Sequence, residues 1–72
     1  MDKNTIKLMI SRILERAFEA REECKKDLGE GFEQGRRIAY YEILDIIKSE
    51  LYVGGELLSE YGLDINLEKE LL

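Results

Sequence analysis

Apolar residues recur along the chain at the three- and four-residue spacing of amphipathic helices, and glycines separate the apolar segments. The first segment predicts a helix over about residues 4–28, with Asp2 or Asn4 as its N-cap. Gly29-Glu30-Gly31 is expected to form a turn so short that the next helix returns antiparallel to the first. The residues of this first helix expected to face the core are Ile6, Met9, Ile10, Ile13, Leu14, Ala17, Cys24 and Leu28.

A second helix is predicted over about residues 32–60. Gly54-Gly55 weakens it, because glycine is a poor helix former, and a kink or a break is expected there. The predicted core stripe of this helix consists of Phe32, Ala39, Ile43, Ile46, Ile47, Leu57 and Tyr61.

The end of the chain predicts a third, shorter element. Gly62 is expected to cap the second helix, and Asp64 or Asn66 is expected to begin a short helix within residues 64–72. This segment is too apolar for a free tail, so we expect it to fold back on the hairpin or onto a second chain. Its apolar residues are Leu63, Ile65, Leu67, Leu71 and Leu72.

The fold class predicted is all-α, with one domain over residues 1–72 that oligomerises into a helical bundle. The second helix is apolar over about half of its circumference, which is wider than one partner helix covers. A chain of 72 residues rarely gains enough stability from a single core and needs a further source of stability. With one cysteine and no histidine, a disulfide within the chain is impossible and a zinc site is not expected. A dimer of hairpins, forming a four-helix bundle, is the simplest solution.

Two charged residues, Arg36 and Glu50, interrupt the stripe of the second helix, seven residues to either side of Ile43. An antiparallel pairing of two copies centred on Ile43 would set Arg36 against Glu50 of the other chain. In the alternative interpretation Arg36 reaches out to solvent and Glu50 lies at an edge. The predicted interface residues are Arg36, Ile43, Ile47, Glu50, Leu51 and Leu58.

The charge balance is acidic, with 16 Asp and Glu against 11 Lys and Arg and a net charge of -5. This disfavours direct binding to a DNA backbone, which needs a basic patch. No apolar run approaches the length of a membrane span, so no membrane partner is expected. The absence of a signal-peptide pattern and the single thiol predict a cytoplasmic protein. The acidic surface indicates solubility, and mimicry of nucleic acid is the alternative interpretation.

A cluster near the start of the second helix supplies one alternative function. Arg36, Arg37, Tyr40 and Tyr41 follow a helix N-terminus, so they are candidates to grip a phosphate and stack on a base. In the other interpretation Tyr40 packs at the core edge while Arg37 and Tyr41 are solvated. Tyr41 and Tyr52 share one side of the helix, which indicates either a partner surface or burial in a larger oligomer.

A second alternative is enzymatic. Glu19-x-x-Glu22 and Glu42-x-x-Asp45 resemble the paired-acid motif of all-α nucleotide pyrophosphohydrolases, which implies four carboxylates holding magnesium against a triphosphate. On the predicted helices Glu19, Glu22 and Asp45 point away from the apolar stripes, so these ligands diverge. Cys24 lacks a histidine base for nucleophilic attack and is expected to be a buried structural thiol. We therefore predict no enzyme, no metal and no cofactor.

The stretch from Gly35 to Leu44, with the later Tyr61-Gly62-Leu63, resembles a pattern in small uncharacterised helical proteins of bacteria and their phages. The resemblance implies no activity. A phage setting would imply an anti-defence or regulatory factor that blocks a protein or sequesters a nucleotide signal. The leading prediction is a non-catalytic homo-oligomer that acts by protein–protein interaction, with itself and another protein as partners. An oligomeric small-nucleotide-binding protein and a magnesium-dependent pyrophosphohydrolase-like enzyme are the alternatives.

Overall fold

The computed structural model describes residues 1–26 and 31–72, and all the regular structure in these ranges is helical. Helix α1 spans Lys3–Lys26, helix α2 spans Phe32–Val53, a 3₁₀ turn spans Leu58–Tyr61, and helix α3 spans Leu67–Leu71. Leu28 and most of the predicted turn at Gly29-Glu30-Gly31 lie outside the described residues. The all-α prediction is confirmed.

The two long helices pack side by side and run antiparallel. Lys3, at the start of α1, forms ion pairs with Glu56 and Glu60, which follow the end of α2. The N-terminus of α1 therefore lies beside the C-terminus of α2, and the opposite ends are joined through residues 27–31. The molecule measures 40 × 19 × 15 Å, and α1 accounts for most of its length. The hairpin is as predicted, and its assembly into a larger bundle stays a prediction.

Two helices begin at side-chain caps that the sequence predicts. The Asp2 carboxylate accepts a hydrogen bond of 2.8 Å from the backbone N–H of Thr5, which lowers the pKa of Asp2. The Asn66 side chain accepts a hydrogen bond of 3.1 Å from the backbone N–H of Lys69. Each cap satisfies an N–H group that has no partner within its own helix. Of the alternatives left open by the sequence, Asp2 and Asn66 are the caps.

Helix α2 ends at Val53, so the break expected at Gly54-Gly55 is present, and the predicted helix end near residue 60 is wrong. Gly55 adopts a left-handed conformation with φ of 78°, which a continuing helix does not allow. The N–H of Glu56 then donates to the carbonyl of Leu51 at 2.9 Å, and the N–H of Gly55 donates to that of Tyr52 at 3.1 Å. This is the Schellman pattern, which satisfies carbonyl groups at the end of a helix.

The same pattern recurs at the end of the 3₁₀ turn. Gly62 has φ of 71°, and the N–H of Leu63 donates to the carbonyl of Leu58 at 3.0 Å. The N–H of Gly62 donates to the carbonyl of Ser59 at 3.3 Å. The expected role of Gly62 as a cap is therefore right, but it caps the 3₁₀ turn and not α2. The turns at Gly55 and Gly62 reverse the chain, so that the following residues return along the hairpin.

The returning C-terminal segment, residues 56–72, supplies much of the core. The buried cluster in the described residues consists of Ile10, Ala17, Leu44, Tyr61, Leu63, Leu67 and Leu71. Four of these seven residues belong to the C-terminal segment. The prediction that this segment folds back instead of forming a free tail is confirmed.

The core stripe predicted for α2 is largely wrong. Phe32, Ala39, Ile43, Ile46 and Leu57 are all exposed, and the inward side of α2 is built around Leu44. Tyr40, Ile47 and Leu51 lie half-buried beside Leu44. The Leu44 arc adjoins the residues of α2 that contact the C-terminal segment. Turning it inward therefore lets α1, α2 and the C-terminal segment share one core.

Polar contacts also hold the C-terminal segment in place. The Arg21 guanidinium donates to the backbone carbonyl of Glu70 at 3.2 Å and to its carboxylate at 3.1 Å. The Lys48 ammonium donates to the backbone carbonyl of Ile65. Arg21 also lies over the Phe18 ring at 4.8 Å, which favours a cation–π contact. One basic residue from each long helix thus clamps the segment.

We expect Gly62→Ala to lower the free energy of unfolding by about 1–2 kcal/mol, because an L side chain disfavours the left-handed region. The added Cβ would lie 3.5 Å from Leu14 Cδ1, an ordinary contact, so the loss reports on the backbone and not on a clash. The control is Gly35→Ala, which meets nothing within 4 Å and should stabilise α2 by about 0.5–1 kcal/mol. Urea unfolding followed by circular dichroism measures both variants. Loss of stability of equal size in both would contradict the left-handed turn.

Candidate functional site

Helix α2 carries a row of mostly exposed residues at alternating spacings of four and three. We call this row the seam; it consists of Phe32, Arg36, Ala39, Ile43, Ile46, Glu50 and Val53. Such spacing corresponds to the a and d positions of a heptad, which lie together on one side of a helix. Phe32 is 72% exposed, Ile46 63% and Val53 80%. The seam is therefore an apolar strip that this chain leaves uncovered.

The seam borders the side of the hairpin that the C-terminal segment leaves open. Tyr41 and Lys48 of α2 contact the C-terminal segment, and Leu44 packs into the core. At about 100° of rotation per residue, Ile43 lies roughly 160° around α2 from Tyr41. Met9 of α1 is also exposed, and at about 100° per residue it lies roughly 140° around α1 from Leu14, which is near Gly62 of the C-terminal segment. Met9 is therefore at the border of the open side. One side of the hairpin is thus covered by residues 56–72, and the other presents the seam.

Arg36 has a partner within its own chain. Its guanidinium donates to the Glu33 carboxylate at 3.0 Å and lies 5.7 Å from the centre of the Tyr40 ring. The hydrogen bond to Glu33 raises the pKa of Arg36. Glu50 is exposed and forms no ion pair with any residue that the structure describes. The seam therefore carries one neutralised cation and one free anion.

The structure separates the predicted interface residues into two groups. Arg36, Ile43 and Glu50 lie on the seam. Ile47, Leu51 and Leu58 are half-buried and pack against the core of this chain. Ile47 is about 40° from Ile43 around α2 and lies at the border of the seam.

The four residues of the predicted nucleotide site do not form one pocket. Arg36, Arg37, Tyr40 and Tyr41 spread over roughly 140° of the circumference of α2. Arg36 and Tyr40 contact each other, whereas the Tyr41 hydroxyl donates to the Glu68 carboxylate at 3.4 Å. Arg37 is half-buried. The cluster is continuous in the sequence but faces several directions in space.

The carboxylates of the predicted magnesium site are also dispersed. Glu19 pairs with Arg16, and Glu22 pairs with Arg21 and Lys25. Within residues 1–26 and 31–72, no group of three or more acidic or thiol side chains is placed to hold a metal ion. Cys24 is half-buried, less than the buried thiol that the sequence predicts.

A cleft between α2 and the C-terminal segment was not predicted from the sequence. It has a volume of about 390 Å³, and Tyr41, Asp45, Tyr52 and Glu68 lie around it. Partial burial raises the pKa of the Tyr41 phenol, and the nearby carboxylates of Glu68 and Asp45 raise it further. The tyrosine pair was visible in the sequence, but Glu68 reaches it only through the fold-back of the chain.

Comparison with known proteins gives no further guide to function: no protein family, no curated protein and no solved structure matches this chain. No helix in the described ranges is long and apolar enough to cross a membrane.

The raised pKa of Tyr41 predicts a contribution to alkaline unfolding. The folded protein holds this proton more tightly than the unfolded chain, so the contribution is complete below about pH 10. It is lost as the pH rises through the folded value. Tyr41→Phe should therefore flatten the fall of the urea midpoint as the pH rises above about 10. Tyr52→Phe, a change at a side chain that is 74% exposed, is the matched control, and identical profiles for the two variants would contradict the shift.

Proposed function

We propose that this protein is a non-catalytic, self-associating helical hairpin that acts by protein–protein contact. The observation that carries the proposal is the seam, an apolar heptad row on the side of the hairpin opposite the C-terminal segment. In this proposal two copies pack through their open sides and form a four-helix bundle.

The area left exposed supports this proposal energetically. Fully burying a Val, Ile or Phe side chain contributes about 1.5–3 kcal/mol. The seam leaves four such side chains exposed on each copy: Phe32, Ile43, Ile46 and Val53. Chains of this size have small cores, so a second copy would add a large fraction to the buried apolar surface.

The two charges of the seam favour an antiparallel pairing of the copies. In a parallel pair, Arg36 would meet Arg36 and Glu50 would meet Glu50. In an antiparallel pair centred on Ile43, each Arg36 meets Glu50 of the second copy. Since Glu33 already holds Arg36, the pairing would form a network of two carboxylates around one guanidinium, at each end of the interface.

The alternative functions have less support. A nucleotide site needs Arg36, Arg37, Tyr40 and Tyr41 to converge, and magnesium-dependent hydrolysis needs the same of its carboxylates. Neither set converges in the residues that the structure describes. The anti-defence or regulatory role implied by the resemblance stays a prediction; a self-associating acidic helical protein that acts by contact is compatible with it.

We expect light scattering to give twice the chain mass of 8.4 kDa at micromolar concentration, and Ile43→Asp to give the monomer mass. A buried aspartate without a partner is costly, so the variant should dissociate while each hairpin keeps its helicity. Ile38→Asp is the matched control, because Ile38 is 41% exposed on α2 against 46% for Ile43 but lies off the seam. This control should remain a dimer. A wild-type protein that is monomeric at every concentration would overturn the proposal.

The register is tested by exchanging the two charges. Arg36→Glu and Glu50→Arg should each weaken the dimer, and the double variant should recover most of the affinity, because opposite charges again meet. All three are compared in a Glu33→Gln background, since Arg36→Glu alone would also face Glu33 within its own helix. Sedimentation across a concentration series gives the dissociation constants. A double variant that is as weak as the sum of the singles would contradict this register.

A further inference from the structure

The cleft lies on the other side of α2 from Ile43, the centre of the seam, and Val53 at the end of the seam also lines it. Tyr41 and Tyr52 are eleven residues apart, about three helical turns, so their rings stand on the same side of α2 along the length of the cleft. Leu58 and Leu67 of the C-terminal segment supply apolar lining. The cleft therefore has an apolar lining and an aromatic ring toward each end.

The net charge of the side chains around the cleft is negative. Asp45 comes from α2 and Glu68 from α3, and neither forms an ion pair in the part of the chain that the structure describes. Lys48, the one basic residue of the lining, has its ammonium bound to the carbonyl of Ile65. Both carboxylates lie close enough to the Tyr41 phenol to raise its pKa. The cleft thus offers two carboxylates without cationic partners beside the ring of Tyr41.

We propose that this cleft binds an arginine side chain from a basic segment of a partner protein. A guanidinium stacks on the face of a tyrosine ring and donates paired hydrogen bonds to a carboxylate. Its aliphatic stem suits the lining of Leu58 and Leu67. A phosphate or an acidic peptide would be repelled by Asp45 and Glu68, and the net charge of -5 draws a basic partner toward the whole chain.

This site does not depend on self-association. Ile43, at the centre of the seam, lies roughly 160–180° around α2 from the two tyrosines, and Val53 is the one seam residue that also lines the cleft. If two hairpins do pair through the seam, each presents its cleft outward. A dimer would then hold two arginine-bearing segments, or two arginines of one partner.

The test is a titration of ¹⁵N-labelled protein with N-acetyl-arginine amide, followed by NMR. Saturable shifts should be concentrated at the amides around the cleft, and N-acetyl-norleucine amide, which has a similar stem without the charge, should not reproduce them. Asp45→Asn with Glu68→Gln should weaken binding about tenfold or more. The amide oxygen of the glutamine replacement still accepts the hydrogen bond from the Tyr41 hydroxyl, so the contact between α2 and α3 is kept.

The matched control is Glu19→Gln with Glu23→Gln, which also removes two charges, but from exposed positions on α1 that do not line the cleft; it should bind like the wild type. Binding should also persist in Ile43→Asp, which separates this proposal from the self-association proposal. Absence of saturable shifts, equal shifts with the norleucine probe, or unchanged affinity in the Asp45 and Glu68 variant would overturn the assignment. Loss of binding in Ile43→Asp would place the site between copies and would also overturn it.

Discussion

The packing of three leucines of the C-terminal segment against the hairpin is the interaction on which the rest of the structure depends. Leu63, Leu67 and Leu71 are buried with Leu44 of α2, so they fix which arc of α2 faces inward. Two antiparallel helices have two open sides, and these leucines cover one of them. The seam is exposed, and the cleft exists, because the segment returns along that side and not the other.

Local features of this fold were predictable because they depend on neighbouring residues. The two long helices, the caps at Asp2 and Asn66 and the turn at Gly62 follow from spacing and from cap chemistry. The inward face of α2 was not predictable in the same way. Apolar residues occupy an arc around Leu44 and another around Ile43, and a helical wheel does not distinguish them. The choice depends on contacts across the chain, such as Tyr41 of α2 with Glu68 of α3, which are 27 residues apart.

The candidate sites also separate into features that neighbouring residues determine and features that depend on contacts across the chain. Arg36, Arg37, Tyr40 and Tyr41 are neighbours in sequence, but a helix turns neighbours about 100° apart, so adjacency does not make a pocket. The placement of Arg36 and Glu50 seven residues to either side of Ile43 was visible in the sequence, and all three residues lie on the seam. The cleft was hidden, because it joins side chains of α2 to those of α3, and the position of α3 depends on the fold-back.

The turns at Gly55 and Gly62 use a backbone conformation of the opposite handedness to the helices that they end. Gly55 and Gly62 have φ of 78° and 71°, angles that L residues avoid and that their mirror-image counterparts prefer. A chain of 72 residues is within reach of chemical synthesis, so D-alanine can be placed at either turn. There it would hold the native backbone angle while restricting the unfolded chain. The reversal that creates both surfaces is thus encoded at two achiral positions, where a residue of opposite chirality would suit the backbone better than any genetically encoded one.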